Sequence, residues 1–242
     1  VGATPDVITA TDLAATSTTY TAFSNVEKES GTVYAGMSAK SNAGAIQLRS
    51  NNSNSGIVST STIGFLKAIS FTVESGSNTI QVYGKNSAYT NASDLYNKAT
   101  QGTLLGKTTT TGGITLEDGI NLGDYRYIGI RSASGAIYLT NVSIAWTPAT
   151  FYNVTLTQPK NIAITANIDK AVAGETITLN ATPEEGYAID NWIGLPEGAT
   201  ISTDKNKVTF IMPDENVAIS VTYTSLPRYT ISFSKGAASG ST

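Results

Sequence analysis

The chain has 242 residues, enough for two domains of ordinary size, and charged residues are sparse beside abundant Gly, Ser, Thr and Asn. It contains no cysteine and no histidine, which excludes disulfide bracing, thiolate metal sites, thiol nucleophiles, the Ser-His pairing of common hydrolases and most zinc chemistry. The net charge of −3, from 15 basic and 18 acidic residues, supplies no positive field for phosphate backbones, so nucleic acid is not an expected partner.

The opening residues VGATPDVITATDL lack the basic and apolar regions of a signal peptide, and the chain reads as mature and already processed. No run approaches the roughly 20 apolar residues of a membrane span. Short runs then alternate apolar and polar positions, the period of a strand with one buried face. Ile69, Phe71 and Val73 alternate with Ser70, Thr72 and Glu74; Ile80 and Val82 continue the pattern; Val142, Ile144 and Trp146 end it. Turn signals separate the runs, among them Ser75-Gly76-Ser77-Asn78, Thr111-Gly112-Gly113 and Asp118-Gly119. Ser93 to Lys98 is expected to form one short helical turn. This is the spacing of a sandwich or jelly roll.

The charge balance changes after Pro148. Nine basic residues face nine acidic ones before it, whereas residues 149–225 carry four against nine. We place a boundary there, giving a sandwich at 1–148 and a smaller β module at 149–225. Strands of the smaller module are expected at Val154 with Leu156, Ile162 with Ile164, Ile177 with Leu179, Val208 with Phe210 and Met212, and Val217 through Tyr223. Residues 226–242 restart the alternation of FYNVTLTQ as RYTISFSK, either the first strand of a further module or a terminal strand of the second.

Two segments of the second module, AGETITLNATPEEGYAIDNWI at 173–193 and VTFIMPDENVAISVTY at 208–223, resemble the divergent internalin B-repeat family, bacterial domains strung along secreted and surface proteins. The resemblance implies a small immunoglobulin-like or grasp-like β fold used as spacer or adhesive unit. In the first module, GAIQLRSNNSNSGIV at 44–58, IQVYGKNSAYTNASDLY at 80–96 and YIGIRSASGAIYLTNVSIAW at 127–146 resemble jelly-roll domains appended to exported proteins of Gram-negative gut anaerobes. That resemblance implies a galactose-binding-like sandwich, and carbohydrate recognition by analogy. We expect a non-catalytic exported surface or secreted protein, a carbohydrate-binding module on a repeat spacer. The alternatives are an adhesive or structural stalk contacting protein, or the ancillary region of a larger exported enzyme. The expected partner is a glycan or a surface protein, the chain is expected to be monomeric, and no cofactor is expected.

The most suggestive local feature is a near-repeat, LRSNNSNSG at 48–56 and IRSASG at 130–135, which sets an Arg-Ser pair at each of two strand ends. Arg49 and Arg131, with Asn51, Asn52, Asn54 and Ser134 around them, could offer planar donors and amides to a sugar or carboxylate. Equally, the arginines could brace loops by bonding backbone carbonyls or by pairing with Asp12 or Asp124. Tyr83 and Tyr89, with Tyr96, Tyr125 and Tyr127, could supply stacking faces, or be ordinary sheet tyrosines. Trp146 and Trp192 read as core. Glu117, Asp118, Asn121 and Asp124 lie close in sequence but without EF-hand spacing, and Asp118-Gly119 reads as a hairpin turn.

Overall fold

The computed structural model describes residues 4–50, 54–229 and 231, and they form an all-β structure. It divides into two compact units, Val1–Ala149 and Thr150–Thr242.

The first unit is a β-sandwich built from β1 (Asp6–Ile8), β2 (Thr21–Glu27), β3 (Val33–Lys40), β4 (Ile46–Leu48), β5 (Gly56–Ser61), β6 (Gly64–Ser75), β7 (Ile80–Lys85), β8 (Thr103–Thr108), β9 (Gly112–Gly113), β10 (Thr115–Leu116), β11 (Tyr127–Ser132) and β12 (Ile137–Pro148). One sheet runs β10-β8-β7-β11-β5-β3-β2; the other runs β9-β6-β12, with β4 and β1 sharing the far side of β12. β3 belongs to both. Val33–Met37 pairs with β5, while Ala39 and Lys40 pair with Gln47 and Ile46 of β4.

The alternation in the sequence explains this packing. Ile69 and Phe71, Ile80 and Val82, Ile128 and Ile130, and Val142, Ile144 and Trp146 all project into one core, none more than 5 % exposed. Burial of each such side chain stabilises by about 1.5–3 kcal/mol.

One carboxylate lies inside that core. Asp6 on β1 is 1 % exposed and accepts from Ser30 Oγ at 2.7 Å, Tyr34 Oη at 2.7 Å and Trp146 Nε1 at 3.2 Å. Its other oxygen takes the Ser30 amide at 3.2 Å. Tyr34 comes from β3 in one sheet and Trp146 from β12 in the other, so the carboxylate ties both sheets to the N-terminal strand. Burial first, and then the Asp6 charge, push the Tyr34 hydroxyl far above the ordinary tyrosine range.

The outer face of the β5-β11-β7 region carries a second, smaller cluster of Ala35, Val58, Tyr83, Tyr89 and Leu95. A 3-10 turn at Ala92–Tyr96 covers it, one residue ahead of the expected start, because the Asn91 side chain accepts the Ser93 amide at 2.8 Å and caps it there. Leu95 can sit this close only because β11 has a glycine beneath it. A Cβ at Gly129 would fall 2.2 Å from Leu95 Cδ2.

The second unit holds β13 (Tyr152–Leu156), β14 (Ile162–Ala166), β15 (Lys170–Ala171), β16 (Thr176–Pro183), β17 (Tyr187–Ile193), β18 (Thr200–Ile201), β19 (Lys207–Ile211) and β20 (Val217–Ser225). They make two four-stranded sheets, β15-β13-β20-β17 and β14-β16-β19-β18. The pairing of β13 with β20 is parallel, Val154 opposite Val217 and Leu156 opposite Ile219. Val154, Ile162, Ile164, Ile177, Leu179, Trp192, Val208, Phe210, Met212 and Ile219 fill the space between the sheets. The restart of alternation at 228–242 falls, apart from Arg228, Tyr229 and Ile231, outside the described residues, and those three are exposed.

Asp6→Ala should be among the most damaging single changes in the first unit, because it leaves Tyr34 Oη and Trp146 Nε1 buried without their charged acceptor. A loss of about 3 kcal/mol is expected in urea unfolding followed by Trp146 fluorescence. A loss no larger than that of an average surface substitution would contradict the role given to this carboxylate.

Candidate functional site

The two Arg-Ser turns do meet. Ser50 donates to the Ser134 carbonyl from its amide at 2.9 Å and from its hydroxyl at 2.6 Å. Ser134 in turn donates from Oγ to Asn78 Oδ1 at 2.8 Å, and the Asn78 amide nitrogen donates to the Ala136 carbonyl at 2.9 Å. Arg49, at the end of β4, is held by its own backbone: its amide donates to Ser55 Oγ at 2.6 Å, and its carbonyl accepts from that hydroxyl at 2.8 Å. Asn54 is exposed and lies in the left-handed region at φ 48°, which asparagine tolerates better than most residues. Asn51 and Asn52 lie outside the described residues.

Arg131 is bound within its own module. On β11, Ile128 and Ile130 face the main core, so Gly129 and Arg131 face the opposite side, beneath the 3-10 turn. The guanidinium donates from Nε to Gln81 Oε1 at 3.0 Å, from Nη1 to the Leu95 carbonyl at 2.8 Å and from Nη2 to Tyr83 Oη at 3.0 Å. Its carbon lies 4.8 Å from the Tyr96 ring centre and 5.2 Å from that of Tyr83. Tyr96 then donates to the Ser55 carbonyl at 2.7 Å, so a ring contact and hydrogen bonds link Arg131 through Tyr96 to Ser55 and the backbone of Arg49. Neither Asp12 nor Asp124 is used here. Asp12 pairs with Lys28 at 2.7 Å, and Asp124 accepts from Asn121 at 3.0 Å.

Tyr83 and Tyr89, read from the sequence as either stacking faces or ordinary sheet tyrosines, are both buried. They are 4 % and 2 % exposed. Tyr89 packs under the Lys85 ammonium, 4.0 Å from its ring centre, and donates to the Gln101 carbonyl at 2.7 Å. Sequence alternation gives no warning that a loop-borne turn covers this outer face. Of the partners that fix Arg131, Tyr96 is read from the sequence only as a stacking or sheet tyrosine, and Gln81 is not singled out. The register that sets Arg131 opposite Gln81 on β7 is the signal that would have found Gln81.

Burial pushes the Tyr96 hydroxyl up to about 12, against the opposing pull of the Arg131 charge. Tyr89 is raised as well, again chiefly by burial. Elsewhere in the sandwich Glu117 pairs with Lys107 at 2.8 Å, and among the described residues no group of three or more acidic side chains is arranged to hold a metal ion.

Residues 152–227 match the divergent InlB B-repeat domain family, which bears out the resemblance of the second module. The match lies within the second unit, Thr150–Thr242, and runs two residues past the boundary at 225 expected from the sequence. No curated protein and no solved structure matches the chain.

Two outcomes follow from the Arg131 geometry. Arg131→Ala should lower stability by about 2–3 kcal/mol, read by urea unfolding, since it strips charged hydrogen bonds from Gln81, Leu95 and Tyr83 at once. Stability should also fall in alkali. A hydroxyl whose folded value lies above the unfolded value of about 10 favours the fold below that pH, and this advantage is lost as pH rises towards about 12, where Tyr96 titrates. Unfolding curves from neutral pH upward would test it, and a flat profile through that window would contradict it.

Proposed function

We propose, from a repeat-type second module joined to a sandwich with a closed arginine site, that this chain is a non-catalytic segment of an exported bacterial protein. In it the sandwich and the repeat module act as structural and adhesive units that extend the chain and contact a surface protein. The observation that carries this reading is the use of Arg131: all three of its guanidinium nitrogens donate within the sandwich, between two tyrosines and a backbone carbonyl. A group committed in this way holds a loop in place, and a ligand would have to displace bonds that the fold itself uses. Within these 242 residues there is no histidine or cysteine to serve as base, nucleophile or soft metal ligand. Among the described residues no helix is long and apolar enough to cross a membrane.

A second reading, recognition of a glycan, is favoured by the joined turns. Asn54 and Ser134 are exposed there beside Ser50, offering hydroxyls and an amide at one rim of the sandwich. The two readings part in one experiment, a glycan array probed with the whole chain at concentrations adequate for weak binding, beside its Arg49→Ala and Arg131→Ala variants. The structural and adhesive reading expects no retained glycan, and a lower melting temperature for Arg131→Ala. A glycan bound by the parent chain, with affinity reduced by about 1.5–3 kcal/mol in either variant and melting unchanged, would overturn it in favour of glycan recognition.

A further inference from the structure

The second module contains a sheet edge that one side chain holds shut. β14 pairs with β16 on one side only, at one end of its sheet. In that pairing Ile164 stands opposite Ala181, and the Ala181 amide bonds away from β14, to the Asn206 carbonyl. Ile164 and Ala181 therefore form a pair that exchanges no hydrogen bonds, and the amide and carbonyl of Ile164 point out from the free edge. Both are taken by one residue. Gln158 Oε1 accepts the Ile164 amide at 2.8 Å, and Gln158 Nε2 donates to the Ile164 carbonyl at 2.7 Å. A primary amide presents one acceptor and one donor at the spacing of a peptide group, so Gln158 occupies Ile164 as a neighbouring strand would.

Nothing else on β14 discourages pairing. The strand IAITA has no charge, no proline and no glycine, and its register with β16 is unbroken. Natural sheets protect their edges with charges, bulges, prolines or very short strands. The other three edges of this module have such devices. β15 and β18 are two residues long. β17 carries Asp190, is bulged between Ile189 and Asn191, and is crossed by Lys205, whose ammonium donates to the Asp190 carbonyl. Only β14 relies on a side chain that is itself exposed to water.

We propose that β14 is a strand-accepting surface whose partner is the same strand of a second copy, and that Gln158 is the guard that keeps it closed. Two copies would pair antiparallel about Ile164, each Ile164 exchanging its amide and carbonyl with the other, which is the self-complementary arrangement a two-fold contact requires. Uncharged Ala163 and Thr165 would meet across the axis without repulsion. The Gln158 amide, being exposed, competes with water for these bonds and can be displaced. Its loss converts a guarded edge into an open one.

The test uses the full 242-residue chain. Size exclusion with light scattering over a wide range of protein concentration should give the mass of one chain for the parent, and for Gln158→Ala a mass rising towards two chains. In the associated variant, amide exchange at Ile164 should slow relative to the variant kept dilute. Adding Thr165→Lys to Gln158→Ala should restore the single-chain mass, because two like charges would then flank the axis. Gln158→Asn, too short to reach both groups, replaces the alanine variant if that one does not fold, with the same expectations. A mass that stays at one chain, association as strong in the parent as in the variant, or association that survives Thr165→Lys would each overturn the proposal.

Discussion

The first module depends on a carboxylate placed where sandwiches usually keep only hydrocarbon. Asp6 has no cation beside it among its hydrogen-bond partners; two hydroxyls, an indole N–H and a backbone amide satisfy it. Those donors come from β12, from β3 and from the loop between β2 and β3, so the charge is tolerable only when all three are in place. That makes the interaction one of specificity as well as strength. A β1 shifted by one residue would turn Asp6 outward and carry Val7, now exposed, into the core face, leaving Tyr34 and Trp146 with buried polar atoms and no acceptor.

The same logic, on a smaller scale, governs the outer face of the β5-β11-β7 region. Glycine at 129 lets Leu95 approach, Leu95 brings its own carbonyl within reach of Arg131, and the arginine secures the turn between Tyr83 and Tyr96. Packing comes first here and hydrogen bonding follows from it. A half-buried guanidinium between two rings, hydrogen-bonded to an amide oxygen and a backbone carbonyl, keeps partners for its donors, which is why a charged residue can stand beside a satellite core.

Much of the fold was legible because it rests on a period of two. The alternating residues of β6, β7, β12 and the strands of the second module could be assigned to a buried face from sequence, as could the all-β class and the core positions of Trp146 and Trp192, now 2 % and 5 % exposed. The meeting of the two Arg-Ser turns could be guessed from their similarity, and Ser50 and Ser134 do bond. The fate of Arg131 could not. It is decided by which segment covers the outer face of the sheet, and that depends on a connection of seventeen residues, 86–102, between β7 and β8 whose sequence, polar with scattered tyrosines, looks like any solvent-facing connection. Asp6 was equally hidden. In the sequence it is one acid in a short N-terminal run, and only the arrival of residues 24, 28 and 140 positions away makes it central.

The terminal strands of the two modules differ in how they would carry tension. In the sandwich, β1 and β12 run antiparallel, with Asp6 beside Ile144 and Ile8 beside Val142, so both chain ends leave from the same end of the pair. A pull on them peels the strands apart one bond at a time, and the first contact to bear load is the Asp6 cluster. In the repeat module, β13 and β20 are parallel neighbours, and the incoming and outgoing chain leave from opposite ends of the pair. There a pull slides one strand along the other and strains their bonds together. The forced-unfolding rate of each module is set by that geometry more than by its equilibrium stability. A chain under tension thus has one module that opens like a zipper and one that resists like a lap joint, and the sandwich would yield first.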